Sequence, residues 1–388
     1  MINMPAIVVV AYNRPKALQR LLSSISEADY PHGNITLIIS IDFHPQNNDV
    51  VEIAENFDWN YGTKVIKKHS SRMGLKAHVL ECGDYSLKYD CIIMLEDDLV
   101  VSKDFYYYTI ATQHYYEGDE RIGGVALYCN EWNNFAFCNF KPLHTPYDIY
   151  FRQVCESWGQ SWTKNQWEPF SIWMKKSPVL VPQSDMPAQV YSWPETSWGK
   201  YFSKFVVENN LFLVIPYVAR STCFSEIGQH TSFKDVSNQV VLMSGVPEDY
   251  RLPKFDEGCH YDIFFENMDI QPYLLRWTNN ESCRIDLYGT HPVGKERYVL
   301  STVPRPYKIV HQFGLEMRPP EQNVILNIPG NNIFLYDTSI HDKVPMQLFD
   351  MFAYNFSGFM LHKIIRYVFK VYFEKIKTKL SIYKREST

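Results

Sequence analysis

The chain has 388 residues, 46% of them hydrophobic and 21% charged. That is an ordinary globular composition, which excludes a disordered or collagen-like chain, and the length fits one large domain with an addition, or two domains. The formal net charge of −5 leaves no global basic field for nucleic acid, so none is expected as a partner. Aromatic residues make up 15% of the chain, which suits either sugar-stacking grooves or a large aromatic core.

Eight cysteines are scattered through hydrophobic surroundings with no C-x-x-C pair. They read as reduced core residues of a reducing compartment. Met1 to Pro5 lacks a basic n-region, and Ala6 to Ala11 is too short for a signal-peptide core. No apolar run reaches the roughly 20 residues that span a bilayer. The expectation is a cytoplasmic protein whose fold begins at once.

The first 130 residues alternate strand and helix patterns. Ala6 to Ala11 is a continuous β-branched run, the mark of a buried parallel strand. Asn13-Arg-Pro15 makes a turn into a helix with Leu18, Leu21, Leu22 and Ile25 at helical spacing. Strands are predicted at 35–41, 64–67, 90–95 and 123–128, and helices at 51–57, 75–89 and 105–116. This order predicts an α/β domain with an open, mostly parallel sheet whose ligands gather at the carboxyl ends of the strands. Arg14, Asp42 and the triplet Glu96-Asp97-Asp98 all fall at such ends.

Beyond residue 145 the chain is richer in Trp and loops. Helices are predicted at 160–175 and 197–209 and a strand at 211–216. Residues 240–260 read as a boundary, and short strands at 284–288, 297–302, 307–310, 323–328 and 332–336 predict a small β-rich accessory region. The divisions are 1–242, 243–345 and 346–388. The last of these mixes Phe359, Leu361, Ile364, Ile365, Val368, Phe369 and Tyr372 with Lys363, Arg366, Lys370 and Lys375. Such a basic amphipathic helix reads as a membrane-surface anchor, or as a terminal helix packed on the body.

The acidic triplet is the most informative feature. Three carboxylates after a buried strand are costly unless neutralised, and a hard divalent cation that also binds phosphates would neutralise them. An acidic surface turn is the plain alternative. Several features are missing: a P-loop, a Gly-x-Gly-x-x-Gly after the first strand, a Gly-x-Ser-x-Gly elbow and a zinc-spaced His–Cys cluster.

Ala6-Ile-Val-Val-Val-Ala-Tyr-Asn-Arg-Pro15 and Met94-Leu-Glu-Asp-Asp-Leu-Val-Val-Ser-Lys-Asp-Phe105 resemble nucleotide-sugar glycosyltransferases of the GT-A fold. The resemblance is to the N-acetylglucosaminyltransferase I family and related bacterial polysaccharide transferases. Asp119-Glu-Arg-Ile-Gly123, Leu127 to Trp132, Phe151-Arg152, Ser157-Trp-Gly-Gln-Ser-Trp162 and Ile227-Gly-Gln-His-Thr231 extend it in the same order over roughly residues 5–235.

The resemblance implies roles. Asp98 would ligate Mn²⁺ or Mg²⁺, with Glu96 and Asp97 on the ribose or metal-bound water. Arg14, Asp42 and Arg72 would shape the nucleotide pocket, and His230 would meet the donor diphosphate or the metal. Trp158 and Trp162 would line the sugar or acceptor pocket. The family inverts at the anomeric carbon with a carboxylate base, and Glu195, in Trp193-Pro-Glu-Thr-Ser-Trp198, is the choice over Asp185 and Glu156. The implied activity is transfer of a hexose or N-acetylhexosamine from a nucleotide donor, UDP first, to a glycan or lipid-linked acceptor of a bacterial surface polysaccharide. It would take place on the cytoplasmic face of the membrane. A non-catalytic glycan-binding or scaffold relative is the alternative.

Overall fold

The computed structural model describes residues 4–224, 236, 238–292, 294–347, 349–356, 362–363 and 365–373. The first part runs β1 (Ala6–Ala11), α1 (Pro15–Ser26), β2 (Leu37–Ile41), α2 (Asn48–Asn56), β3 (Lys64–Lys68), α3 (Leu75–Gly83), α4 (Ser86–Tyr89), β4 (Cys91–Glu96), β5 (Leu99–Val101) and α5 (Phe105–Tyr115). It continues with β6 (Ile122–Ala126), β7 (Trp132–Asn133), β8 (Cys138–Asn139), β9 (Ile149–Arg152), β10 (Gln160–Thr163), α6 (Lys164–Lys175), α7 (Ala188–Ser192) and α8 (Trp198–Glu208). Then come β11 (Phe212–Pro216), β12 (Ser221–Cys223), β13 (His260–Tyr261), α9 (Gln271–Leu274), β14 (Cys283–Asp286), β15 (Tyr298–Ser301), β16 (Tyr307–Phe313), α10 (Glu321–Ile325), β17 (Ile333–His341) and α11 (Met351–Phe356).

Nine strands form one sheet in the order β13-β9-β11-β6-β10-β4-β1-β2-β3. Strands β4, β1, β2 and β3 pair in parallel, and β10 inserts antiparallel between β4 and β6. β1 is buried along its whole length because both faces are covered. Ile7, Val9 and Ala11 join a core with Leu18, Leu22 and Phe105 on one side. Ala6, Val8 and Val10 join Val79, Trp162 and Phe202 on the other. This two-sided burial is what a continuous apolar run records.

The chain leaves β1 towards β2 and β3, then returns to β4 on the other flank of β1. That reversal makes a crevice at the carboxyl ends of β1 and β4. Val10 and Glu96 are in register there. Pro15 opens α1 with its φ already set for a helix, and Leu18, Leu21, Leu22 and Ile25 face the core.

Several expectations need correction. Residues 160–163 are a strand, since Gln160 to Thr163 fill the slot between β4 and β6, and the helix begins only at Lys164. Thr163 caps it through a reciprocal capping box with Gln166. The single helix predicted over 75–89 breaks at Asp84, whose carboxylate accepts from Trp167 Nε1 at 2.8 Å and Ser171 Oγ at 2.9 Å. Residues 321–325 are helical rather than extended. Pro319 and Pro320 lead into that turn, and Asn323 accepts from the backbone N–H groups of Glu316 and Met317.

Residue 243 is not a break in the hydrogen bonding, because β13 adds a parallel edge strand to the large sheet beside β9. The smaller sheet, β14-β15-β17-β16, has its own core around Ile285, Leu300, Phe313 and Leu335. Tyr354 of α11 packs on that core and donates its hydroxyl to Met317 O at 2.8 Å. All eight cysteines are free thiols.

Candidate active site

Asp42 directly follows β2 and is 2% exposed. One carboxylate oxygen accepts from the N–H groups of Phe43 and Met73, both at 2.8 Å. The other accepts from Arg72 Nη1 at 2.9 Å and from Gly74 N–H at 3.0 Å. Burial alone would raise this carboxyl, but the three backbone bonds and Arg72 outweigh it and hold it below its ordinary value. Asp42 therefore pins the 72–74 turn to the sheet, and Gly74, at φ +80°, supplies a backbone angle that favours glycine. The Arg72 guanidinium lies 3.5 Å from the centre of the Tyr12 ring, and His44 meets that ring edge-on at 5.2 Å. Tyr12 and His44 were missed in the sequence. Tyr12 lies within the Ala6–Pro15 segment but is given no role by it, and His44 stands in no motif; both are recognisable by their place just past strand ends.

Across the crevice, Arg14 binds both Asp97 and Asp98, the latter at 2.7 Å. Asp97 also accepts from Tyr12 N–H at 3.3 Å. Burial opposes the charge on Arg14, but the two aspartates more than offset it and raise its pKa. Burial pushes the Asp97 carboxyl up to about 6 against the pull of Arg14. Glu96 is raised as well, by burial first and then by repulsion from Asp98 and Asp97. Asp98 Oδ1 is buried with no partner among the described residues.

Glu96, Glu156, Gln160, Trp162 and Trp198 line a cavity of about 10 Å³ beneath the triplet. Burial pushes the Glu156 carboxyl up to about 7, although Arg152, the Trp158 N–H and the Asn130 amide favour its charged form. Asn130 in turn accepts from Arg152 Nη1 at 2.6 Å. A larger cavity, about 650 Å³, lies at the opposite ends of the strands, bordered by Asp90, Gln113 and Lys164, and takes in none of the triplet.

Glu195 precedes α8. Its side chain is 70% exposed and bonds Lys200 Nζ at 2.5 Å and the Tyr201 hydroxyl. Those two bonds, that from Lys200 first, hold its carboxyl below the ordinary value, so it is ionised at neutral pH. Asp185 bonds Lys204 and Tyr191. Trp162 is fully buried among Trp167, Trp198 and Phe202, whereas Trp158 packs on the other side of the sheet against Tyr128. His230 lies outside the described residues. The described chain before it reaches the triplet, where Phe224 N–H donates to Asp98 O at 3.2 Å.

Asp98 tests whether the site suits a divalent metal. A hard cation of the Mg²⁺ or Mn²⁺ type takes one or two carboxylates and completes its shell with water and phosphate oxygens. The buried, unpartnered Asp98 oxygen fits such a single protein ligand. No cluster of three or more His, Cys, Asp or Glu groups exists among the described residues, and that mode of binding requires none.

The mixed α/β domain, with its large, mostly parallel sheet and an acidic triplet at the switch point, is consistent with the GT-A fold. Residues 6–149 match the family model described as glycosyl transferase family 2. Among solved structures, the chain is similar to S. aureus TarS 1-349 in complex with UDP-GlcNAc, with 9% identity and a TM-score of 0.38 over 58% of this chain and 60% of that one. It is also similar to the mannosyltransferase PcManGT from Pyrobaculum calidifontis in complex with GDP-Man and Mn²⁺ (11%, 0.32, 44% and 47%). A third is GalNAc-T7 with UDP, GalNAc and Mn²⁺ (13%, 0.37, 56% and 43%). The chain thus spans less than two thirds of each of these proteins. No curated protein matches it significantly.

Proposed function

We propose that the protein is a metal-dependent, inverting glycosyltransferase. It moves a hexose or N-acetylhexosamine from a nucleotide donor, UDP first, to a glycan or lipid-linked acceptor of a bacterial surface polysaccharide. The observation that carries this reading is the buried oxygen of Asp98, unpartnered among the described residues and set at the β1/β4 crevice within a triplet that Arg14 only partly neutralises. Asp98 would hold Mn²⁺ or Mg²⁺, which when bound stabilises the negative charge gathering on the leaving diphosphate. Asp42 and Arg72, with Tyr12 beside them, form the wall for the nucleotide.

Glu195 takes the acceptor proton. The acceptor oxygen then forms its bond to the anomeric carbon as the bond to the diphosphate breaks, and the nucleotide leaves with the electron pair. An ionised, exposed carboxylate three residues before Trp198 supports that role, because Trp198 borders the cavity below the triplet. Glu195→Gln is expected to lower kcat on the order of 10²- to 10⁴-fold with little change in donor KM. Steady-state kinetics check it, and undiminished turnover removes Glu195 from the mechanism.

The reading as a whole is tested by binding of UDP and GDP sugars with Mn²⁺, Mg²⁺ or EDTA. Metal-dependent binding of one donor is expected. Binding of none would leave the glycan-binding or scaffold alternative.

The same proposal places the enzyme on the inner face of the cell membrane. Described residues 365–373 are helical and expose Tyr367, Val368, Phe369, Tyr372 and Phe373 beside Arg366 and Lys370. The other basic residues of this stretch from Lys375 onward lie outside the described residues. No described helix is long and apolar enough to cross a membrane, so the contact would be with the surface. Removal of residues 357–388 is expected to abolish co-sedimentation with vesicles containing anionic lipid. Unchanged sedimentation would count against the anchor.

A further inference from the structure

Gln160 is 1% exposed, and neither atom of its amide has a partner among the described residues. Buried amides in native proteins are almost always bonded, so a doubly unpartnered one points to a ligand or an ordered water. It lines the 10 Å³ cavity together with Glu156 and Glu96. Glu156 is 3% exposed and lies beside a buried pair in which Arg152 bonds Asn130, and both favour its charged form. Arg152 itself is 2% exposed and lies 3.3 Å from the centre of the Phe265 ring. Burying a carboxyl and a guanidinium is costly, and the attraction between Arg152 and Glu156 offsets only part of that cost. Glu156 lines the cavity with this pair at its back.

The position of the cavity gives this polar floor a meaning. One wall is Glu96, two residues before Asp98, and another is Trp198, three residues after Glu195. Resting on the glycosyltransferase reading, the space between Asp98 and Glu195 is where the transferred sugar must lie. A cavity of about one probe sphere admits a water or a single hydroxyl and nothing larger.

We propose that Glu156 and Gln160 form a subsite that reads one hydroxyl of the donor sugar, with the Arg152–Asn130 pair as its positioning support. Such a subsite confers specificity because a sugar that lacks the hydroxyl, or points it elsewhere, leaves buried polar groups unpaired.

The test measures binding of UDP, UDP-glucose, UDP-galactose and UDP-xylose in Mn²⁺ to the full chain and to Gln160→Ala. These sugars differ in the C4 configuration and the C6 hydroxymethyl group. The wild type is expected to separate them by tenfold or more. In Gln160→Ala the spread should collapse to within about threefold while the affinity for UDP itself stays within twofold. Glu156→Gln, which keeps the side-chain shape, should behave the same way.

Wild-type discrimination that survives both substitutions overturns the proposal, and so does a wild type that binds the sugars without discrimination. A parallel fall for UDP and every sugar also overturns it, since that marks damage to the nucleotide wall or the fold. Absence of any binding by the wild type instead removes the glycosyltransferase reading on which the proposal rests.

Discussion

Asp98→Ala is expected to lower kcat/KM for sugar transfer on the order of 10³-fold or more and to abolish the response of donor binding to Mn²⁺ or Mg²⁺. The substitution removes the one triplet oxygen that is buried and unpartnered. It leaves Arg14 paired with Asp97, so the crevice keeps an internal ion pair and the fold should lose little. The Asp98 side chain is 19% exposed, which also limits the packing loss. Titration of donor with and without EDTA checks the prediction. In the wild type EDTA should weaken binding, and in the variant the two curves should coincide. A variant that still responds to metal would place the ion elsewhere.

Glu156→Gln is expected to change stability in a pH-dependent way. The ordinary glutamate value is 4.5, and in the folded protein burial pushes Glu156 up to about 7. The folded state therefore binds the proton more tightly than the unfolded state. The stability due to the protonated carboxyl is complete below pH 4.5 and is lost as pH rises through 7. The full loss is roughly 3 kcal/mol. Glutamine does not titrate, so the variant should gain on the wild type by about that amount between pH 4.5 and pH 8. Thermal or urea unfolding of both proteins at several pH values measures the gap. Asp97 and Glu96 are raised too and tilt the wild-type curve in the same direction, so the difference between the two proteins is the informative quantity. A gap that does not change with pH would mean that Glu156 is already ionised in the fold.

What the amino-acid sequence reveals here follows from the range over which its signals act. β1 and β4 were legible because strands covered on both faces must be apolar throughout, and that requirement is written in consecutive residues. α1 was legible from Pro15 and the Leu18–Ile25 spacing. Once those strands were placed, Arg14, Asp42 and the triplet had to lie at one edge of the sheet. In contrast, Gln160 to Thr163 show no strand pattern. They are extended because β4 and β6, some 35 to 70 residues earlier, offer a slot with free backbone groups on both sides.

The candidate site divides in the same way. The sequence alone placed the acidic triplet, Arg14 and Asp42 just past strand ends, where an open α/β sheet gathers its ligands. The detailed roles depended on the tertiary structure. Asp42 has its acceptor positions filled by backbone groups of Met73 and Gly74, more than 30 residues away. The sequence favours Glu195 over Glu156 as the base but says nothing of how either carboxylate is surrounded. Packing buries Glu156 beside Asn130 and leaves Glu195 exposed with Lys200 and Tyr201. A carboxylate's proton affinity depends on how much water surrounds it and which charges face it, and only the folded chain decides both.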